Sequence, residues 1–310
     1  MKKKVEKTMI EKRKLGNTGI ELSPIGFGCA SIWGSNLITD AEAIKLFETA
    51  YDLGITYYDT GHSYGIAEER IGKVLRNGFV KRDECVISTK FGTRVINGKN
   101  VHDASPTWIL KSVETSLKRM KTDYIDCLSL HGSRVDDFTD EFFDVLYKLK
   151  ESGKVRTIGA STSNNKQTIS FINDHNLFDY VFIRYNILNQ DLEPLIMQLN
   201  KKGKGIIAGA PLAESLYSNR IFHIRSKKDI WYLGRTILHF RKEFLQGRKY
   251  TFINKVDEMS GAQVALRYVL NNKCVSSAVV GTSSIEHLKD NLKVLDMEIP
   301  KDILARIRKA

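Results

Sequence analysis

No CxxC pair occurs in this sequence, and its four cysteines (Cys29, Cys85, Cys127 and Cys274) stand far apart. That spacing argues against a disulfide framework and against a cysteine-held metal. Three of the four lie in apolar, strand-like runs, where a thiol packs as a small hydrophobe. A reducing, cytoplasmic setting without a metal is the expectation. No apolar run approaches the roughly 18 residues of a membrane span, so no membrane association is expected. The leader MKKKVEKTMIEKRK carries lysines with no apolar core behind them, unlike a secretory signal. No Pro- or Ser-rich linker interrupts the 310 residues. One domain over 1–310 is therefore expected, at a length that α/β barrels routinely fill.

Acidic residues are scarce in one stretch only. The net charge of +12 owes much to NRIFHIRSKKDIWYLGRTILHFRKEFLQGRKY, residues 219–250, while elsewhere the signs are mixed. A local basic segment on a balanced chain points to a local anionic partner at most, and nucleic-acid binding is not expected.

What is present is a repeating alternation. RKLGNTGIEL turns around Asn-Thr-Gly and predicts a short N-terminal hairpin. Eight apolar runs follow: PIGFGCA (24–30), TYYDT (56–60), CVISTKF (85–91), IDCLSLHG (125–132), RTIGAST (156–162), YVFIRYN (180–186), GIIAGAP (205–211) and SSAVVGT (276–282). Between them lie amphipathic stretches of helical period, such as 40–53 behind Thr39, 106–121 opening on Pro106, and 139–151 ending at Gly153. Strands that alternate with helices must pair in parallel, because a parallel neighbour needs a crossover. Eight such units close into a (β/α)8 TIM barrel. The interval 213–258, after the seventh strand, is far longer than an ordinary loop and is expected to be functional.

A barrel of this kind works at the C-terminal ends of its strands. The second strand ends on Asp59, with Tyr64 in the turn beyond; the third ends on Lys90 and the fourth on His131. Singly, each has a bland explanation: a cap, a packed phenol, a snorkelling lysine, a structural histidine. Together, at three successive strand ends, they make a proton-transfer set. A phenol with an ordinary pKa near 10 is a poor donor at neutral pH, and an adjacent ammonium lowers it. Lys90 would be that ammonium, Asp59 its counter-charge, and His131 a hydrogen-bonding partner for a substrate oxygen. Such a set protonates a carbonyl oxygen or, in reverse, deprotonates an alcohol. It holds no electron source, so a hydride donor must come from outside.

YYDTGHSYGIAEERIGKVL, ISTKFG, LKRMKTDYIDCLSLHG and SGKVRTIGASTSN resemble the signature stretches of the aldo-keto reductase superfamily, with likeness running from about residue 13 to 297. The resemblance implies a (β/α)8 barrel and hydride transfer from a nicotinamide cofactor, NADPH with NADH possible, bound without a Rossmann domain. It makes Tyr64 the proton donor, with Asp59, Lys90 and His131 as partners. Ser161 and Thr162 stand where the family's Ser-Asn pair holds the nicotinamide carboxamide. Phe182 stands where the family has a glutamine, and Gly209 where it often has an aromatic. VVGTSSIEHLKDNL resembles the phosphate-binding turn and the helix after it, which puts Gly281, Thr282 and Ser283 on phosphate and Asn291 near adenine. Gly281 and His287 occupy positions where NADP-preferring relatives often carry Lys and Arg, which weakens a 2′-phosphate site.

The resemblance further suggests that 213–250 folds over the bound cofactor as a lid. A surface helix pair that buries Tyr232, Leu233, Ile237 and Phe240 is the alternative. The sequence ends on the helical stretch KDILARIRKA, so no long C-terminal loop is expected to wall the pocket; Trp33 is a candidate wall. The expected partner is a small-molecule carbonyl of unspecified identity, and oligomeric state is not legible. An oxidative alcohol or aldose dehydrogenase using NAD, or a cofactor-sensing regulatory subunit, are the alternatives that the residues leave open.

Overall fold

The eight apolar runs become eight parallel strands because each is buried on both faces. In the computed structural model, which describes residues 9–162, 164–218, 230, 233–234 and 240–310, a two-stranded hairpin comes first: β1 (Arg13–Lys14) and β2 (Glu21–Leu22). The barrel strands are β3 (Ile25–Gly28), β4 (Tyr57–Asp59), β5 (Val86–Phe91), β8 (Ile125–His131), β9 (Val155–Ser161), β10 (Tyr180–Arg184), β11 (Gly205–Gly209) and β12 (Ser277–Val280). They close in the order β10-β11-β12-β3-β4-β5-β8-β9, parallel throughout. The expected (β/α)8 architecture is the one found.

Strand periodicity divides the core in two. One set of alternate residues, including Phe27, Tyr58, Ile87, Leu128, Leu130 and Ile158, packs under the helices in the larger core. The other set faces the barrel interior, where Tyr57, Cys127, Tyr180, Ile207 and Val279 join Leu15, Ile20 and Leu22 of the N-terminal hairpin. The hairpin thus plugs the N-terminal mouth. Cys29, Cys85 and Cys127 are buried and Cys274 half-buried. Among the described residues no helix is long and apolar enough to cross a membrane.

The helices start where their caps place them. Thr39 closes a reciprocal capping box with Glu42 at the head of α1 (Asp40–Asp52). After α2 (Ala67–Arg76), Ser105 caps α3 (Pro106–Met120) with Pro106 in the first turn, and Thr139 caps α4 (Asp140–Glu151). One element was not expected. Between β5 and α3 a second hairpin forms from β6 (Thr93–Ile96) and β7 (Lys99–His102). Its turn is Asn97-Gly98, both at positive φ (50° and 74°), the dipeptide that favours a tight two-residue hairpin.

Of the proposed lid, Ala213–Ser215 forms a short 3-10 turn, Leu216 and Tyr217 are buried, and a helix spans Arg241–Gly247. Tyr232, Ile237 and much of the basic segment lie outside the described residues, while Leu233 and Phe240 are half-buried.

The interior is close-packed around its tyrosines. A Cβ on Gly159 would stand 2.5 Å from Tyr180 ring carbons, well inside van der Waals contact. Gly159→Ala should therefore destabilise the barrel by about 1–3 kcal/mol through overpacking, measured as a lower denaturant midpoint at unchanged m-value.

Candidate active site

Asp59, Lys90 and His131 meet because the strands are staggered. Asp59 pairs in register with Ser88, two residues before Lys90. Lys90 pairs with Ser129, two residues before His131, and His131 pairs with Ser161. Each successive side chain climbs one interior step toward the C-terminal mouth, so three residues on separate strands face one point.

The centre of the group is an ion pair. Lys90 Nζ donates to both carboxylate oxygens of Asp59 at 2.6 Å and to the Thr60 carbonyl at 2.8 Å. The two side chains are 1% and 4% exposed. Three acceptors match the three N–H groups of an ammonium, which is what makes burial of the cation tolerable. Desolvation alone would lower the lysine's pKa, but the Asp59 charge and the Tyr64 phenol outweigh it and leave it raised. Desolvation lifts the Asp59 carboxyl above its ordinary range, against the pull of Lys90. With all three donors engaged, the pair is held as carboxylate and ammonium.

Two rings flank the cation. Nζ lies 5.0 Å from the Tyr64 ring centroid and 4.8 Å from that of Phe182, both within cation–π range. The Tyr64 ring stands edge-on to His131, with centroids 5.7 Å apart. Its turn is held by Tyr64 N–H to Gly61 O (2.9 Å) and Ile66 N–H to Gly34 O (3.0 Å). The Gly34 loop is gripped in turn by buried Arg70 of α2, whose guanidinium donates to the carbonyls of Trp33, Ser35 and Ile38. Thus α2 positions the phenol at one remove.

One electrostatic expectation needs correction. Burial raises the Tyr64 pKa; Lys90 pulls it down and Asp59 pushes it up, and the net direction is upward. The ammonium moderates the phenol's acidity without overcoming its desolvation. At neutral pH Tyr64 therefore carries its proton. His131 is pushed to about 4 by burial, then by the charge of Lys90 and by His102, so the imidazole is neutral.

The other sequence-derived residues fall into two groups on the same rim. Ser161 ends β9 beside His131, and Thr162 follows, its N–H reaching Phe182 O at 3.3 Å. Thr162 is buried and its hydroxyl has no hydrogen-bond partner among the described residues. The next residues are anchored by Asn164, whose side chain donates to Arg184 O and accepts from Arg184 N, both at 2.9 Å. After β12, Thr282 Oγ1 accepts from Ser284 N at 3.0 Å, and Ser284 caps the helix Ile285–Leu292. Gly281 and Ser283 are exposed beside that helix N-terminus, His287 is exposed on it, and Asn291 is buried on its inner side.

Trp33 does not wall a pocket. It is 2% exposed, packs against Phe27 and Phe47, and donates its indole N–H to Ala43 O at 3.1 Å. The expectation fails because the apolar pull of the core under α1 outcompetes the rim.

Phe182 and Gly209 prove complementary: a Cβ on Gly209 would collide with the Phe182 ring, so the small residue makes room for the large one. Sequence reasoning missed Thr60, which acts through its carbonyl and leaves no side-chain signal. It also missed Thr93, whose Oγ1 lies 3.2 Å from His131 Nδ1; the Asn-Gly turn was the available clue.

The site is thus an eight-stranded parallel barrel with a buried acid–ammonium pair, a phenol and a neutral imidazole at its C-terminal mouth. The aldo/keto reductase family profile matches residues 24–310. L-galactose dehydrogenase of Arabidopsis thaliana is 30% identical over 301 residues, covering 92% of this chain and 88% of the relative. L-glyceraldehyde 3-phosphate reductase of Escherichia coli (strain K12) is 30% identical over 305 residues, covering 92% and 87%. Among solved structures, the holo form of aldo-keto reductase AKR11C1 from Bacillus halodurans superposes with a TM-score of 0.78 at 26% identity, covering 97% of this chain and 96% of that one. The chain belongs to the aldo/keto reductase family and is an oxidoreductase.

Removing the cation tests the ion pair. Lys90→Met leaves the Asp59 carboxylate buried without a partner, and should cost about 3–5 kcal/mol at neutral pH. Lowering the pH should restore part of that loss as Asp59 takes up a proton, which thermal melts across pH 4–8 will read.

Proposed function

We propose that this chain reduces an aldehyde or ketone to an alcohol, with Tyr64 as the proton donor and a reduced nicotinamide dinucleotide, NADPH or NADH, as the hydride source. The observation that carries the reading is the Asp59–Lys90 pair, dry and fully hydrogen-bonded, with its ammonium against the Tyr64 ring. An ion pair costs several kcal/mol to bury, and its half-buried neighbours on the rim are the phenol and the imidazole.

When bound, the nicotinamide supplies a hydride to the carbonyl carbon. The carbonyl π bond breaks as that hydride adds, and Tyr64 gives its proton to the oxygen. The phenolate left behind faces Lys90, whose charge stabilises it more than it stabilises the neutral phenol; that difference is what lowers the barrier. His131, neutral at working pH, orients the oxygen by a hydrogen bond without adding a second cation. The Thr162 hydroxyl, unpartnered among the described residues, with Ser161 beside it, fits the carboxamide end of the cofactor. Gly281, Thr282 and Ser283 lead into a helix N-terminus suited to its phosphates, with His287 and Asn291 farther along that helix toward the adenine end.

Tyr64→Phe should lower kcat for reduction of a probe aldehyde by at least about a hundredfold, the usual scale of general-acid catalysis. NADPH and NADH affinities, from nucleotide fluorescence titration, should stay within about threefold. Full activity in that variant would remove Tyr64 from the mechanism.

The raised Tyr64 pKa also gives direction. Reduction needs the protonated phenol, which is present at neutral pH; alcohol oxidation needs the phenolate. The forward rate should be flat from pH 6 to 8, while the reverse rate should climb steadily into the alkaline range. A reverse rate that is independent of pH would exclude Tyr64 as the titrating group.

A further inference from the structure

The β6–β7 hairpin, which the reaction above leaves unused, reaches back to the rim. Thr93, its first residue, follows the end of β5 by one glycine, and its Oγ1 lies 3.2 Å from His131 Nδ1. Among the described residues this is the one hydrogen bond made by the His131 ring, and the one side-chain bond made by Thr93. The hairpin is tied at both ends. Gly92, at φ 88°, lies so close to Leu130 that a Cβ there would collide with the leucine side chain. Gly92 O also accepts from Asp103 N at 3.0 Å, at the far end of the hairpin. Across the hairpin, Thr93 pairs with His102, whose Nε2 is 2.6 Å from Asp137 Oδ1. Asp137 belongs to the turn Val135–Asp137, just after the strand that ends on His131. The distance from Thr93 to His131 is thus set by backbone packing and by a second tie to the same loop.

A neutral imidazole carries one N–H, and whichever nitrogen holds it decides what the other can do. A ring that accepts at Nδ1 must carry its proton on Nε2, and can then donate to a substrate oxygen. A ring that donates from Nδ1 presents a bare Nε2, which repels a carbonyl oxygen. Among the described residues Nδ1 is the one protein acceptor within reach of the Thr93 hydroxyl proton.

We infer that Thr93 is a positioning residue: its hydroxyl donates to His131 Nδ1 and holds the imidazole in the Nε2–H tautomer that a carbonyl substrate requires. The use of that tautomer rests on the carbonyl-reductase reading; the tautomer itself does not.

The experiment compares Thr93→Val, which keeps the shape and removes the hydroxyl, with Thr93→Ser, which keeps the hydroxyl. In the first arm, ring-nitrogen NMR of the cofactor-free protein at pH 7.5 reads the His131 tautomer, its signal assigned by its loss in His131→Gln. Wild type and Thr93→Ser should show protonated Nε2 and bare Nδ1, and Thr93→Val a mixture. In the second arm, steady-state reduction of 4-nitrobenzaldehyde by NADPH should show kcat falling about tenfold in Thr93→Val, the scale of one lost hydrogen bond, with the KM for NADPH unchanged. Thr93→Ser should recover to within about threefold of wild type. An unchanged tautomer in Thr93→Val overturns the inference, as does an Nδ1–H signal in wild type or failure of serine to rescue. If Thr93→Val does not fold, the wild-type tautomer and the Thr93→Ser rates still decide. Absence of reductase activity in wild type would sink the proposed reaction, while the NMR arm would continue to test Thr93.

Discussion

A lysine held against both oxygens of an aspartate, inside a barrel mouth almost closed to water, is the constraint on which the rest of the site depends. Neither group is tolerable there alone, since an unpaired buried charge costs several kcal/mol. The pair is sustained because Asp59 and the Thr60 carbonyl together satisfy every N–H of the ammonium. That geometry in turn requires β4 and β5 to be in the register that sets Asp59 opposite Ser88. A shift of one residue would turn every functional side chain toward the helices, so hydrophobic registration of the strands and the electrostatics of the rim are one requirement.

Around this pair the site balances opposing terms. Burial makes the phenol harder to ionise while the ammonium makes it easier, and burial prevails. In the proposed reaction that is the useful outcome: the donor keeps its proton until an oxygen develops charge, and the cation is already in place for the anion left behind. His131 is kept neutral by the same dry surroundings and the same lysine.

Family membership does not make the mouth generic. Phe182 places an aromatic face 4.8 Å from the Lys90 ammonium, and Gly209 leaves the space that this ring fills. The two positions compensate each other in volume, so the wall beside the lysine is apolar and stays closed. A polar side chain at 182 would offer the ammonium another partner and admit water; the ring does neither.

Much of the barrel could be read from the chain by itself. The eight strands were visible as short apolar runs, and the starts at Thr39, Pro106 and Thr139 as caps, because these signals are local and each is carried by a few adjacent residues. Asp59, Lys90 and His131 were legible as charges at strand ends, and their likeness to a known family supplied their joint meaning. What lay beyond the sequence was whatever depends on a partner distant in the chain. The Thr60 carbonyl bears no side-chain mark. Trp33 looked like a rim residue until the core under α1 claimed it, and the net direction of the Tyr64 pKa could not be known without knowing how deeply the ring is buried. The β6–β7 hairpin was announced by Asn97-Gly98, yet its approach to His131 follows only from how the strands close. The sequence by itself determined which polar residues stand at the strand ends and on which elements they ride, because propensity and periodicity are properties of neighbours. The tertiary structure alone decided how those residues act on one another, because desolvation and hydrogen bonding depend on distances that only the closed barrel sets.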